Sequence, residues 1–271
     1  MTKLGSQKIG LIGVGNMGTS ILEGVLKNRI ASPSRIWVYD KIKTKAQKFA
    51  RKTRVHWASS AAELFRKTDV ILLAIKPQHF VLATAEHQKF LKRNHGVISI
   101  LAGLTTDKMA RAFGKKVALV RAMPNLGAKV GESMTVLCGK NKKWLSFAEK
   151  LFSGCGKVVR LPEKTFDLVT AISGSGPAYF FYLIELLTDF GIRRGLSKKI
   201  AETLAIETGV GATLLAKHSC GTHSAGGLRQ MVTSKKGTTE AALKTLQRGK
   251  FKEVFQRALA AAVARSRELR K

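Results

Sequence analysis

Ten residues near the start of the sequence restrict the possible folds more than any other segment. They read Ile9-Gly10-Leu11-Ile12-Gly13-Val14-Gly15-Asn16-Met17-Gly18, an apolar strand that runs through a G-x-G-x-x-G turn into a helix. In such a turn the first glycine allows the tight bend, the second lets the backbone approach a pyrophosphate, and the third lets helix and strand pack closely. The amides at the helix start would face the phosphates. The residues predicted to bind a dinucleotide here are Ile12, Gly13, Gly15, Asn16, Met17 and Gly18.

Short apolar runs alternate with helical segments from Lys8 to about Leu161. The runs are rich in Val, Ile and Leu, which is typical of parallel strands buried on both faces. The predicted strands are Ile9–Ile12, Ile36–Tyr39, Val70–Ile75, Val97–Leu101, Ala118–Ala122, Met134–Cys138 and Val158–Arg160. The predicted helices between them include Thr19–Lys27, Lys43–Arg51 and Ala61–Lys67. This alternation predicts an α/β Rossmann fold, a doubly wound parallel sheet.

The pattern changes after Leu161-Pro162-Glu163-Lys164. From Phe166 onward the apolar positions follow a helical period and no strand is predicted. We therefore expect a dinucleotide-binding domain over residues 1–163 and an all-helical domain over residues 164–271.

The second predicted strand ends in Asp40, about twenty residues beyond the glycine turn, where an acid binds the ribose hydroxyls of NADH. Lysines and arginines follow it without an intervening acid, beginning with Lys41, Lys43 and Lys45. Such a cluster could hold the 2′-phosphate of NADPH, or it could be a solvated helix face. The sequence thus leaves the choice between NADH and NADPH open.

The formal net charge of +31 is spread through both halves of the chain. It would attract nucleic acid or anionic membranes non-specifically at low salt, but no nucleic-acid-binding module is visible. No apolar leader precedes Ile9, and the uncharged stretch Leu168–Ile184 contains glycine and proline and is short for a membrane span. Three scattered cysteines indicate neither a disulfide framework nor a zinc site. These features predict a cytoplasmic protein without a metal, a specific nucleic-acid partner or a membrane anchor.

Further motifs follow the glycine turn. They are Ala74-Ile75-Lys76-Pro77-Gln78, Ser99-Ile100-Leu101-Ala102-Gly103, Arg121-Ala122-Met123-Pro124-Asn125, Ser173-Gly174-Ser175-Gly176-Pro177-Ala178-Tyr179, and Val232-Thr233-Ser234 with Gly237-Thr238-Thr239. In order and spacing the chain resembles the pyrroline-5-carboxylate reductase family over nearly its whole length. The resemblance implies a Rossmann domain followed by a helical domain that interlocks with a second copy into a homodimer or larger homo-oligomer. It also implies that NADPH or NADH reduces the C=N bond of a cyclic imine carboxylate, giving L-proline.

The resemblance also assigns residues. Ala74, Ile75, Lys76 and Pro77 would approach the ribose and phosphates of the cofactor, and Ala102 and Asn125 would lie near the nicotinamide. Gly237, Thr238 and Thr239 would open a helix whose free amides hold the substrate carboxylate, with the Thr239 hydroxyl on the ring nitrogen. Ser175, in the Gly-Ser-Gly-Pro segment, completes the candidate catalytic residues. The alternative is that the threonines only cap a helix and that Lys76 is a surface cation.

Two segments depart from the family pattern. The substrate loop reads Ser234-Lys235-Lys236-Gly237-Thr238-Thr239 where the family usually has Ser-Pro-Gly-Gly-Thr-Thr, and Pro124-Asn125-Leu126-Gly127-Ala128 stands where it usually has Pro-Asn-Thr-Pro-Ala. These changes keep two alternatives open: a related imine or carbonyl reductase with another substrate, and a non-catalytic homologue that binds dinucleotide or nucleic acid. The histidines (His56, His79, His87, His95, His218 and His223) show no ligand spacing and are predicted to lie in surface segments.

Overall fold

The computed structural model describes residues 4–114 and 117–270, except for the side chain of His87. Its centre is one eight-stranded sheet in the order β3-β2-β1-β4-β5-β6-β7-β8. The strands are β1 Ile9–Ile12, β2 Ile36–Tyr39, β3 His56–Trp57, β4 Val70–Leu73, β5 Gly96–Ser99, β6 Ala118–Met123, β7 Ser133–Gly139 and β8 Gly156–Arg160. Each predicted strand is present, with ends that shift by at most two residues.

The sheet is parallel, as expected, at every pairing except one, because β7 runs antiparallel to β6. Parallel neighbours need a crossover of a dozen or more residues. The connection from Pro124 to Glu132 is shorter than that and contains a 3₁₀ turn at Leu126–Val130, so the chain reverses. The crossover through helix α6, Lys142–Ser153, then makes β8 parallel to β7. The edge strand β3 was not predicted, because its two residues are exposed and form no apolar run.

Helices cover both faces of this sheet. They are α1 Asn16–Lys27, α2 Lys43–Thr53, α3 Ala61–Lys67, α4 Phe80–His87, α5 Thr106–Phe113, α6 Lys142–Ser153 and the short α7 Phe166–Val169. Successive residues of a strand point to opposite faces of the sheet. Leu11 packs in a cluster with α1 and α6, whereas Ile12 packs in a cluster with α3 and α5. This double burial explains why the strands are apolar throughout, and the fold is the doubly wound α/β type expected from the sequence.

The chain separates into two compact units. The first extends to Ser175 and resumes at Ala262, and the second is Gly176–Ala261. Its helices are α8 Gly176–Arg193, α9 Lys198–His218, α10 Ala225–Met231, α11 Thr238–Arg248 and α12 Phe251–Glu268, the last of which ends in the first unit. Between Phe166 and Arg270 the structure contains no strand, as predicted.

The second unit has almost no core of its own. Its buried residues are Gly176, Thr188, Gly191, Ala201 and Ala205. Helices α8 and α9 approach closely at Gly191, where an added Cβ would lie 3.0 Å from the Ala201 Cβ. Most of the large apolar side chains of these helices are exposed.

Candidate active site

Each glycine of the amino-terminal turn meets a different spatial demand. Gly13 has φ of +100°, and an added Cβ would lie 2.6 Å from the Ala74 carbonyl oxygen. At Gly18 an added Cβ would lie 2.6 Å from the Gly13 oxygen. At Gly15 it would meet nothing within 4 Å, so the backbone here borders open space. The turn is therefore packed at its first and third glycines and accessible at the second.

Helix α1 begins at Asn16, three residues before the predicted start, because Gly15 occupies the N-cap position. No side chain caps this end and its first turn carries no acid. The Thr19 hydroxyl donates to the Gly15 carbonyl oxygen at 2.9 Å, and the Ser20 hydroxyl donates to that of Asn16 at 2.6 Å. Uncapped amides next to open space fit the anionic pyrophosphate of a dinucleotide.

Asp40 lies at the end of β2 and holds the glycine turn directly. Its Oδ2 accepts from the Val14 amide at 2.8 Å, and its Oδ1 accepts from the Ile42 amide at 2.9 Å. The side chains of Lys41, Lys43 and Lys45 beside it are exposed. Both an acidic side chain and a group of cations therefore adjoin the turn.

The segment from Ala74 to Pro77 leaves the sheet beside the glycine turn. Strands β1 and β4 are neighbours with Ile12 opposite Leu73, and the Ala74 amide donates to the Ile12 carbonyl oxygen at 2.8 Å. The strand order reverses at this pair, which is where open α/β sheets bind ligands. Lys76 is exposed and precedes the 3₁₀ turn Pro77–His79.

Ala102 lies in the loop after β5 and packs against a cluster that contains Met123 and Phe166. The next residue, Gly103, has φ of +74° and contacts the backbone of Leu269. Ala102, Gly103 and Leu269 line a cavity of 430 Å³ together with Pro77. The structure thus brings the loops after β4 and β5 together.

Asn125 follows β6, and its side chain is turned toward Ser173 of the Ser-Gly-Ser-Gly-Pro motif. Its Nδ2 donates to the Ser173 carbonyl oxygen at 3.2 Å and to the Ser173 hydroxyl at 3.3 Å. Its Oδ1 accepts from the Gly127 amide at 3.1 Å, and its own amide donates to the Ser133 hydroxyl at 3.1 Å. Sequence reasoning did not select Ser133 or Ser173, although Ser173 opens the Ser-Gly-Ser-Gly-Pro motif.

Ser175 ends a π-helical turn over Thr170–Gly174. Its amide donates to the Thr170 carbonyl oxygen at 2.8 Å, and an added Cβ at Gly174 would lie 2.6 Å from the Met123 Cε. Single π turns are rare in proteins, and those that do occur often lie at functional sites. Ser175 itself is partly exposed at the entrance to α8.

The remaining candidate residues, Gly237, Thr238 and Thr239, belong to the second unit. Gly237 is the N-cap of α11 and provides no side-chain cap. An added Cβ at Gly237 would lie 2.3 Å from the Ser234 hydroxyl oxygen, so a larger residue there would require the serine side chain to turn away. Thr238 and Thr239 form the first helical residues, with Thr238 exposed and Thr239 half-buried. The first amides of α11 therefore have no side-chain cap, and the helix starts where the motif predicted it.

Lys236 stands in the left-handed region with φ of +60°. Its amide donates to Glu240 Oε2 at 2.8 Å, and Glu240 also pairs with Lys244 at 3.2 Å. The bond from the Lys236 backbone and the contact with Lys244 lower the pKa of the Glu240 carboxyl. Sequence reasoning missed Glu240, although a glutamate three positions after an N-cap is a known helix-start signal.

A buried ion pair joins β6 to the segment after β8. The Arg121 side chain is 1% exposed, and its NH1 lies 3.1 Å from Glu163 Oε1. Glu163 accepts from both the amide and the hydroxyl of Thr106 at the start of α5. The Arg121 guanidinium also lies over the Phe166 ring at 4.5 Å. This network fixes the loop after β5 and was not predicted.

Two of the three cysteines and one histidine are buried in surroundings that disfavour the charged forms of their side chains. Burial raises the pKa of the Cys138 and Cys155 thiols to about 12. His95 is buried, which corrects its predicted surface position, and desolvation lowers its pKa; the side chain of His87 lies outside the described part. Among the described side chains, no group of three His, Cys, Asp or Glu residues could hold a metal ion. No described helix is long and apolar enough to cross a membrane.

Comparisons with known proteins show which family the chain resembles. Residues 163–269 match the family model described as pyrroline-5-carboxylate reductase dimerisation, and residues 8–103 match that described as NADP oxidoreductase coenzyme F420-dependent. The chain is 35% identical to the pyrroline-5-carboxylate reductase of Arabidopsis thaliana over 97% of this chain and 96% of that protein. It is also 35% identical to the enzyme of that name from Methanosarcina acetivorans, over 98% of this chain and 99% of that protein.

Solved structures show the same likeness. The pyrroline carboxylate reductase of Plasmodium falciparum with NADP bound superposes with a TM-score of 0.89 at 29% identity, covering 98% of this chain and 99% of that one. A pyrroline-5-carboxylate reductase from Coxiella burnetii gives a TM-score of 0.89 at 35% identity, covering 98% of this chain and 100% of that one. The similarity therefore includes both the sheet and the helical half.

Proposed function

The chain belongs to the pyrroline-5-carboxylate reductase family, and from this premise we propose that it reduces the C=N bond of 1-pyrroline-5-carboxylate to L-proline. A bound NADPH or NADH would supply the hydride. The reaction is the last step of proline biosynthesis. The observation that carries the proposal is the open, uncapped start of α1 at Gly15, joined to a family match over nearly the whole chain.

In this proposal the residues of the first unit bind and orient the cofactor. The amides of Asn16 and Met17 face the pyrophosphate, and Asp40 keeps the turn in shape through the Val14 amide. Lys76 is an exposed cation at the carboxyl edge of the sheet, within reach of a phosphate. The geometry serves both nicotinamide cofactors, and the NADP-bound relative supports NADPH.

The start of α11 would bind the substrate carboxylate. Its first amides are free of a side-chain cap, and the positive end of the helix dipole favours an anion there. The exposed charges of Lys235 and Lys236 add to this attraction. The Thr239 hydroxyl would hold the ring nitrogen and Ser175 would border the substrate. The protein then needs no strong acid, because a protonated imine is already electrophilic and the main task is orientation.

We also propose that the protein is a homodimer or larger homo-oligomer through residues 164–271. The match of residues 163–269 to a dimerisation model supports this domain assignment. Exposed apolar side chains of α8 support it as well, since Phe180, Phe181 and Tyr182 are 59%, 56% and 60% exposed. A patch of this kind is typical of an interface.

The three unpaired cysteines fit a reducing, cytoplasmic location.

The direct test is an assay of the purified protein with 1-pyrroline-5-carboxylate and either NADPH or NADH. We expect oxidation of the cofactor to depend on the imine, with proline as the product. Turnover of other imines alone would instead indicate a related reductase. Cofactor binding without any turnover, or salt-sensitive nucleic-acid binding without turnover, would contradict an enzymatic role.

The Thr239→Ala variant tests the substrate end. We expect it to lower turnover more than cofactor affinity, because the hydroxyl lost would act on the imine and not on the dinucleotide. Steady-state kinetics and a cofactor titration measure the two effects. Unchanged kinetics would remove Thr239 from the mechanism.

A further inference from the structure

The side chain of Asn125 is occupied by protein groups. Both hydrogen bonds of its amide nitrogen go to Ser173, at 3.2 Å to the carbonyl oxygen and 3.3 Å to the hydroxyl. Its oxygen accepts from the Gly127 amide at 3.1 Å. Because both amide hydrogens are used in this way, Asn125 could donate to a nicotinamide only by giving up a contact with Ser173.

Ser173 lies inside the π turn that ends at Ser175. Its hydroxyl also approaches the Met134 carbonyl oxygen, at 3.5 Å, and the Ser175 amide bonds back to Thr170. Gly174 is pressed against the Met123 side chain. The segment that carries Ser175 is therefore fixed at Ser173 and Gly174, by contacts with Met123 of β6, Met134 of β7 and Asn125, two residues after β6.

Gly127 has a specific part in this arrangement. Its amide orients the Asn125 side chain, and a proline, which the family usually carries here, has no amide hydrogen to donate. An added Cβ at Gly127 would also lie 2.5 Å from the Glu132 carbonyl oxygen. The unusual Leu126-Gly127 pair thus provides a donor that locks the Asn125 amide, with its nitrogen toward Ser173.

We infer that Asn125 is a positioning residue, which acts through Ser173 to hold the π turn and so places Ser175 at the substrate. This inference rests on the proposed function. It differs from the direct contact with the nicotinamide that the family resemblance suggests for Asn125. A displacement of about 1 Å at such a site can lower turnover by about 100-fold.

The test is the Asn125→Asp variant. The introduced carboxylate can still accept from the Gly127 amide but cannot donate to Ser173, and it meets the Ser173 carbonyl oxygen. We expect kcat to fall by about 10- to 100-fold, which corresponds to displacement of the reacting groups, with little change in the dissociation constant of NADPH. Activity relative to wild type should recover as the pH falls, because a protonated carboxyl can donate again.

The matched control is Asn141→Asp. Asn141 caps α6 by accepting from the Trp144 amide at 3.1 Å, a bond that an aspartate keeps. This variant should retain wild-type kinetics. Ser173→Ala is the second test variant and should lower kcat in the same direction. When Asn125→Asp is already present, Ser173→Ala should lower kcat by a smaller factor, since the effects of substitutions at coupled residues do not add.

The outcomes separate the two proposals. A wild type that does not turn over the imine contradicts the proposed function, and the inference falls with it. An active wild type with a fully active Asn125→Asp variant contradicts the inference alone. A variant whose kcat is unchanged but whose NADPH binding is weakened would identify Asn125 as a direct cofactor ligand. If Asn125→Asp does not fold, Ser173→Ala decides, and unchanged kcat for it overturns the inference.

Discussion

Lys236 occupies a backbone conformation that suits glycine. A φ of +60° costs a residue with a Cβ about 1–2 kcal/mol of conformational energy. The hydrogen bond from the Lys236 amide to Glu240 helps to hold Lys236 in this conformation. Lys236 therefore adopts a backbone conformation that suits the glycine which the family usually carries at this position. The two lysines also add positive charge near the proposed carboxylate site.

Replacing Lys236 with glycine should stabilise the protein. Relief of the left-handed strain exceeds the added flexibility of glycine in the unfolded chain, and we expect a gain of up to about 1 kcal/mol in the free energy of unfolding. Chemical denaturation measures it. Lys235→Gly is the matched control, because Lys235 does not have a positive φ, and it should give no gain. Equal effects of the two variants would contradict the strain argument.

Glu240 should titrate below its usual value. The Lys236 amide and Lys244 favour the carboxylate, so the folded pKa is depressed from 4.5. The stabilising contribution of a depressed carboxyl is complete above the unfolded pKa and is lost as the pH falls through the folded pKa. The start of α11 should therefore loosen only on acidification below about 4.5. Carbon-detected NMR should show a midpoint below 4.5 that Lys244→Ala raises; a midpoint unaffected by that substitution would argue against the pair.

At the scale of elements, the end of α12 is tied to α7. The buried carboxyl of Asp167 accepts from the Ser266 hydroxyl at 2.9 Å and lies 2.5 Å from the Arg270 guanidinium. Leu269 meanwhile covers Gly103 in the loop after β5. The last turn of the chain thus completes the wall of the cavity that Ala102 lines.

Asp167→Asn should loosen this end. The amide keeps the size of the side chain but loses the charge opposite Arg270 and leaves a buried polar contact incomplete, for which we expect a loss of about 1–3 kcal/mol. Thermal or chemical unfolding measures the loss, and deuterium exchange at residues 262–270 should increase. Asp189→Asn, at an exposed aspartate of α8, is the control. Equal stability of both variants would show that the anchor contributes little.

At the scale of the whole molecule, the helical unit shows more apolar surface than a monomer usually leaves in water. Its five buried residues are small or polar, whereas the phenylalanines and leucines of α8 point outward. Hydrophobic burial is the main driving force of folding, so this unit needs a second copy to cover it. The same reasoning gives the family's dimerisation domain a physical basis.

Phe181→Glu should therefore prevent assembly. A charge at a site that is covered in a dimer remains unpaired and costs several kcal/mol. Light scattering after size exclusion would show a dimer or larger assembly for the wild type and a smaller or aggregated species for the variant. Val81→Glu, at an apolar residue of the first unit that is 74% exposed, should assemble normally. A wild type of monomer mass would contradict the proposal outright.

The sequence by itself determined seven of the eight strands, the glycine turn and the helical second half. It did so because local patterns reflect local demands: buried strands are apolar on both faces, and only glycine allows the backbone at Gly13 to turn and pack against Ala74. The family motifs likewise predicted the start of α11 at Gly237-Thr238-Thr239. Each of these features depends on residues that are neighbours in sequence or repeat with a fixed period.

Only the tertiary structure decided features that join distant residues. The antiparallel β7, the partnership of Asn125 with Ser173, the buried Arg121–Glu163 pair and the return of Ser266 to Asp167 belong to this group. None has a local pattern, because the partners of each contact are set by how the chain turns between them. The role of Asn125 is one example: its amide nitrogen donates to Ser173, 48 residues further along the chain, and no pattern around either residue marks the other as its partner.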